Sequence, residues 1–255
     1  MIWRLVPVLA VLWAQSATAQ TIPIPFSDSA DTRQISVTVT PGIRGMNQVR
    51  DRNLRALRER MHDGDGVSND GLRALADLGD GLAAQRYVRR LLAQEGEARN
   101  NSDVAYYAAV AVGSGRVWTL PEMVAAMHRL NPETESTARI QKYMQVLYAH
   151  AWEGNTLALD AVQVFNGEGK LFGPLSNETR ERMLNQAAKN GDGRVEIGLA
   201  LRLMERFDRE GGLNETDMAE LNRLLTRAAN ASHLGVSVSA RTMIEQLDAR
   251  RMADG

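Results

Sequence analysis

Glycine and aspartate alternate at Asp63-Gly64-Asp65-Gly66, with Asn69 and Asp70 just beyond, and oxygen ligands this close together are what a calcium loop offers. Placing Asp65 at the fifth ligand position of such a loop puts Met61 at the first and Leu72 at the twelfth, where carboxylates are required. The same residues serve better as a turn. Glycine takes the left-handed conformation that ends one helix, and Asn69 and Asp70 are suited to cap the next. The four histidines, His62, His128, His150 and His233, have no metal-ligand spacing, and the sequence holds no Gly-x-Ser-x-Gly elbow and no phosphate loop. The residue chemistry therefore points to no metal, no cofactor and no catalytic grouping, and directs attention to surfaces.

The elements that must build those surfaces follow an export signal. Arg4, the apolar run Leu5 to Ala14 and Ala17-Thr18-Ala19 have the form of a signal peptide over residues 1–19, with cleavage expected before Gln20. A run of about 10 apolar residues broken by Pro7 falls short of the roughly 20 that span a bilayer. No second such run follows, so no membrane span is expected after cleavage, and the chain is read as periplasmic or secreted. Cysteine is absent, which removes disulfides, a thiol nucleophile and thiolate metal sites together. The chain carries 30 basic residues, one of them Arg4, against 31 acidic ones, so the mature charge lies near −2 and speaks against a nucleic acid or an anionic membrane as partner. Residues 20–45 hold three prolines and a short alternation at Ile35, Val37 and Val39, and read as an extended, loosely attached arm.

From Asn47 onward the apolar spacing is helical throughout. Leu54, Leu57 and Met61 mark the first helix, whose other face carries Arg50, Arg52, Arg55, Arg58 and Arg60 and is read as solvated. Further stripes run through Ala84 to Leu92, Val104 to Val112, Leu120 to Leu130, Ile140 to Ala151, Leu157 to Phe165, Val195 to Phe207 and Val236 to Leu247. Ser102, Asn177 and Asn214 are read as helix starts. The turn at Gly64 to Asp70 is matched with Gly113-Ser114-Gly115, Gly167-Glu168-Gly169 and Gly211-Gly212. Asn177-Glu178-Thr179 and Asn214-Glu215-Thr216 lie 37 residues apart, and each leads to an alanine pair, Ala187-Ala188 and Ala228-Ala229. A period of this size marks stacked helical hairpins, an all-α fold.

Leu57, Met61, Gly64, Gly66, Val67 and Asp70 fall on the spacing of the first half of a Sel-one-like repeat; Ala187, Ala188 and Gly191 fall on the second, as do Ala228 and Ala229 with Ser232 in place of glycine. Over about Asn47 to Leu247 the chain thus resembles that divergent branch of the tetratricopeptide-like superfamily. The first glycines, at 64, 113, 167 and 211, stand 49, 54 and 44 residues apart, which is longer than the family's usual unit and calls for insertions or an extra helix. The resemblance implies a right-handed superhelix of stacked antiparallel hairpins over residues 46–248, ahead of a frayed tail at 249–255, that binds other proteins. A concave groove for a protein or peptide partner would draw on Tyr87, Tyr106, Tyr107, Tyr143 and Tyr148, with the inter-repeat core as their other use. The alternative is a cell-wall enzyme or glycan-binding module, since lytic transglycosylases also use helical superhelices and place a glutamate before a serine, as Glu135-Ser136 does here. On this reading the protein is a non-catalytic adaptor of the bacterial envelope.

Overall fold

Eleven α-helices make up the regular structure of residues 33–94 and 100–254, the part that this computed structural model describes, with two short 3-10 turns at Met46–Gln48 and Val117–Thr119 and no strand among the described residues. In chain order they are α1 (Arg52–His62), α2 (Asn69–Asp77), α3 (Gly81–Leu92), α4 (Asn101–Gly113), α5 (Leu120–Met127), α6 (Thr137–Trp152), α7 (Thr156–Phe165), α8 (Asn177–Asn190), α9 (Arg194–Glu210), α10 (Glu215–Ala229) and α11 (Leu234–Asp254). The signal peptide and the start of the arm lie outside the described residues. The last helix continues past Asp248, where the sequence reading has the chain fraying, and Arg250 reaches back 2.6 Å to Asp208 on α9.

Helix starts are set by side chains that accept the free amide three residues on. Asp51, Ser68, Asn100, Ser136, Asn155, Ser176 and Asn214 all do this. Three of them correct the sequence reading. Ser68, and not Asn69 or Asp70, caps α2; Asn100, and not Ser102, caps α4; Ser176, and not Asn177, caps α8. The two Asn-Glu-Thr stretches are therefore out of register by one residue, because Asn214 is a cap and Asn177 is already helical.

Packing follows a simple rule. Helices α2 and α3, α4 and α5, α6 and α7, α8 and α9, and α10 and α11 each pack as consecutive partners. The first members touch along the series, α4 on α6 and α6 on α8; so do the second members, α5 on α7, α7 on α9 and α9 on α11. The turn inside each pair carries one buried small or β-branched residue, in order Ala76, Val112, Ala151, Ala187 and Ala228. Their separations along the chain are 36, 39, 36 and 41 residues. In the first three pairs the turn closes alike: Gly79, Gly115 and Gly154, all at φ between +88° and +100°, donate to the carbonyls of Ala76, Val112 and Ala151 at 2.8, 2.9 and 3.1 Å. The next amide then reaches the carbonyl five residues back, which is the Schellman closure of a helix end.

The turns within the pairs thus use mostly different glycines from those the sequence reading chose. Gly64 and Gly66 precede α2, Gly167 and Gly169 lie between the third and fourth pairs, and Gly211 lies between the fourth and fifth, whereas Gly113 and Gly115 belong to the turn within a pair. Those four turns are not copies of one another. Val67 is buried under α2, and of the Ala187-Ala188 pair only Ala187 is buried, Ala188 facing solvent. Neighbouring turns also touch: Ser232 donates through both its amide and its hydroxyl to the carbonyl of Gly191, each at 3.0 Å. At Gly193, φ is +72° and an added Cβ would lie 2.5 Å from that of Ala231. Gly193→Ala is therefore expected to cost about 2 kcal/mol, combining a left-handed non-glycine residue with lost contact to the last pair, and a thermal melt checks it.

Candidate binding cleft

From Arg33 onward the arm is not loosely attached. Residues 33–40 alternate between half-buried and exposed, with Ile35, Val37 and Val39 turned inward, and the extended chain crosses the turns of the first three pairs in reverse order. Ile43 donates to the carbonyl of Gly79 at 3.3 Å, Val39 and Thr40 to that of Gly113 at 2.8 and 3.0 Å, and the Ser36 hydroxyl to that of Gly115 at 2.9 Å. At the third turn Asn155 Nδ2 donates to the carbonyls of Arg33 and Ile35 at 2.8 and 2.9 Å, and Val37 N–H to His150 Nε2 at 3.2 Å. An extended segment needs partners for its backbone groups; here helix ends supply them in place of a neighbouring strand.

His150 is wholly buried and is the only one of the four histidines in this position. Its Nδ1 lies 2.9 Å from the carbonyl of Val146, which can only accept, so Nδ1 carries the proton and Nε2 is free to accept from Val37. Burial lowers the pKa of this imidazole below its ordinary 6.5, partly opposed by the Val146 bond. The folded state therefore holds His150 neutral, its contribution is complete above 6.5, and it is lost as pH falls from 6.5 through the depressed folded value. The protection factor of the Val37 amide is expected to drop over that window, and a flat profile would show that His150 does not hold the arm.

Beside the arm lies a cleft of about 610 Å³, walled by the end of α2, the middle of α4 and the start of α6, with Thr40 and Gly42 on its rim. Two helices aim cations into it, Arg73 from α2 and Arg139 and Lys142 from α6. Arg139 is held by Asp103 at 2.7 Å and Ser102 at 2.5 Å, with its guanidinium 4.8 Å from the ring centre of Tyr106, a cation–π distance. Lys142 donates to Thr40 Oγ1 at 3.1 Å, and burial lowers its pKa. Tyr107 takes a bond from Arg73 Nε at 3.1 Å and gives one to Asp77 at 2.8 Å. Burial, and then that bond to Asp77, push its hydroxyl up to about 12. The cations outnumber Asp77, the one carboxylate in the lining, so the mouth favours acidic groups, and the exposed part of Tyr106 supplies a flat apolar surface.

The five tyrosines divide. Tyr106 and the hydroxyl end of Tyr107 line the cleft, while Tyr87 packs edge-on against Tyr107 at 4.9 Å inside the core. Tyr143 has no exposure, its hydroxyl bonds the Ser102 carbonyl at 3.4 Å, and burial raises its pKa. Tyr148 belongs to a separate aromatic group with Trp152 and Phe172, its hydroxyl on Asn166 at 3.0 Å. Tyr87, Tyr107 and Tyr143 are thus buried in the core, the other use that the sequence allowed, and Tyr148 is half-buried against it. Ser136 of the Glu135-Ser136 dipeptide caps α6 through its hydroxyl, and the Glu135 carboxylate accepts from the Ser136 amide at 3.3 Å. Arg73, Arg139 and Lys142 were not singled out from the sequence; Arg139 and Lys142 lie one turn apart on α6, and only the packing brings Arg73, on α2, to the same cleft. Compared with protein-family models, curated proteins and solved structures, the chain matches none. No helix among the described residues is long and apolar enough to cross a membrane.

Proposed function

We propose that this protein is an exported, non-catalytic adaptor of the Sel-one-like kind, a right-handed superhelix of five stacked hairpins that holds an acidic peptide segment of a partner protein. The observation that carries the reading is the cleft of Arg73, Arg139 and Lys142 around Tyr106, built mainly on the first helices of successive pairs. Support for the stack comes from the pairwise packing and from turns recurring every 36 to 41 residues. Support for export comes from residues 1–19. The cell-wall enzyme reading would need an acid poised in a cleft. The carboxyl that burial raises, Glu196, is instead paired with Arg227 at 3.1 Å within the packing of α9 against α10.

The test is fluorescence polarisation of the mature protein with labelled acidic and basic decapeptides, alongside an assay for release of peptidoglycan fragments. Acidic peptides are expected to bind, and Arg73→Gln combined with Lys142→Gln to weaken them by about tenfold or more, as loss of charge-assisted bonds does. Equal binding of basic peptides, or release of peptidoglycan fragments, would overturn the proposal.

A further inference from the structure

A second cavity, of about 310 Å³, opens at the other end of the chain between α8, α9 and α10. Its floor is apolar, made by Leu199, Leu203 and Leu224, all buried, with Leu175 at the side. Three arginines reach into it, Arg180 from α8 and Arg202 and Arg206 from α9. Of the acids in and beside the lining, Glu220 is gripped by both arms of Arg223 at 2.7 and 2.8 Å and Asp217 faces Arg206, while Glu168 is exposed. Arg180 and Arg202 are left over. Neither guanidinium has a hydrogen bond or an ion pair among the described residues, and the Arg180 Nε–H is shut off from solvent with no acceptor. Burial works against the charged form of Arg202, Glu205 partly offsets this, and Arg180 adds to the cost.

Two like charges held together above a leucine floor are costly unless an anion sits between them, since desolvated guanidiniums need acceptors. We infer that this cavity binds a carboxylate attached to a short apolar group, the anion forked between Arg180 and Arg202 and the hydrocarbon on Leu199, Leu203 and Leu224. A guanidinium pair fits the planar carboxylate by two parallel bonds, and the volume suits a medium-chain acid or the last residue of a peptide with an apolar side chain. The site shares no residue with the cleft of Arg73, Arg139 and Lys142 and does not depend on the role given to that cleft.

Isothermal titration of the mature protein with octanoate, octanamide, acetyl-Leu-Leu and its C-terminal amide tests this. Octanoate or the free-acid peptide is expected to bind while its amide does not, and Arg180→Gln or Arg202→Gln to weaken the acid by about tenfold or more. Binding of octanoate alone identifies a free acid as the natural occupant, and binding of the peptide alone identifies a protein C-terminus. If neither acid binds at millimolar concentration, or acid and amide bind equally, the inference is wrong. The amide comparison uses the unaltered protein, so it holds even if a variant does not fold.

Discussion

Arg58→Ala is expected to destabilise the protein by about 3–5 kcal/mol, the range found when one partner of a buried ion pair is removed and the other is left behind. Arg58 Nε lies 2.6 Å from Asp80 Oδ2, and the two side chains are 7% and 2% exposed. The other Asp80 oxygen caps α3 through the amides of Leu82 and Ala83, both at 2.9 Å. The same guanidinium donates to the carbonyl of Ile43 in the arm at 3.2 Å. Arg58 therefore joins α1, the first hairpin turn and the arm, and its loss strands a carboxylate that the fold cannot move to water. Urea unfolding followed by circular dichroism measures the change. Adding Asp80→Asn should restore part of it, because the amide keeps the cap without a buried charge; a single-variant loss under about 1 kcal/mol would mean that the pair is hydrated.

Asn155→Ala is expected to cost about 3 kcal/mol, from a lost helix cap worth about 1 and two lost backbone bonds worth about 1 each. Asn155 has no exposure; its Oδ1 accepts from Ala158 at 3.0 Å while its Nδ2 holds the carbonyls of Arg33 and Ile35. The two duties separate in Asn155→Asp, which keeps the acceptor for α7 and places a carboxylate oxygen against two carbonyl oxygens. That variant should retain most of the helix while releasing the arm, seen as rapid protease cleavage near Ile35 with little change in the far-ultraviolet spectrum. Unchanged cleavage would show that the arm is held elsewhere, at Gly113 or Gly79.

Both predictions rest on residues that look ordinary along the chain. Arg58 is one of four arginines on α1 and reads as part of a solvated face, and the helical period is satisfied either way. Asp80 and Asn155 each follow a glycine at a helix start and were not singled out from the sequence. Their burial depends on what crosses above them, and that is the arm, whose alternation of Ile35, Val37 and Val39 was visible but whose partner was not. A strand pattern announces a preference for extended backbone; it does not say that helix ends more than a hundred residues away will take its hydrogen bonds.

Local chemistry was enough for the helices and for their all-α character, because apolar spacing and glycine conformations act within a few residues. The glycines that close the helix pairs are not the ones the sequence pointed to. The Ala187 and Ala228 turns are plain, but their earlier counterparts at Ala76, Val112 and Ala151 keep only one small or β-branched buried residue and a left-handed glycine, while louder glycine pairs lie in other connections. Which tyrosines are core, which arginines are buried, and which cations meet in a cleft were decided by tertiary packing alone. Burial and electrostatic pairing are properties of three-dimensional neighbours, and here those neighbours come from separate helices and from an arm that runs backward across them.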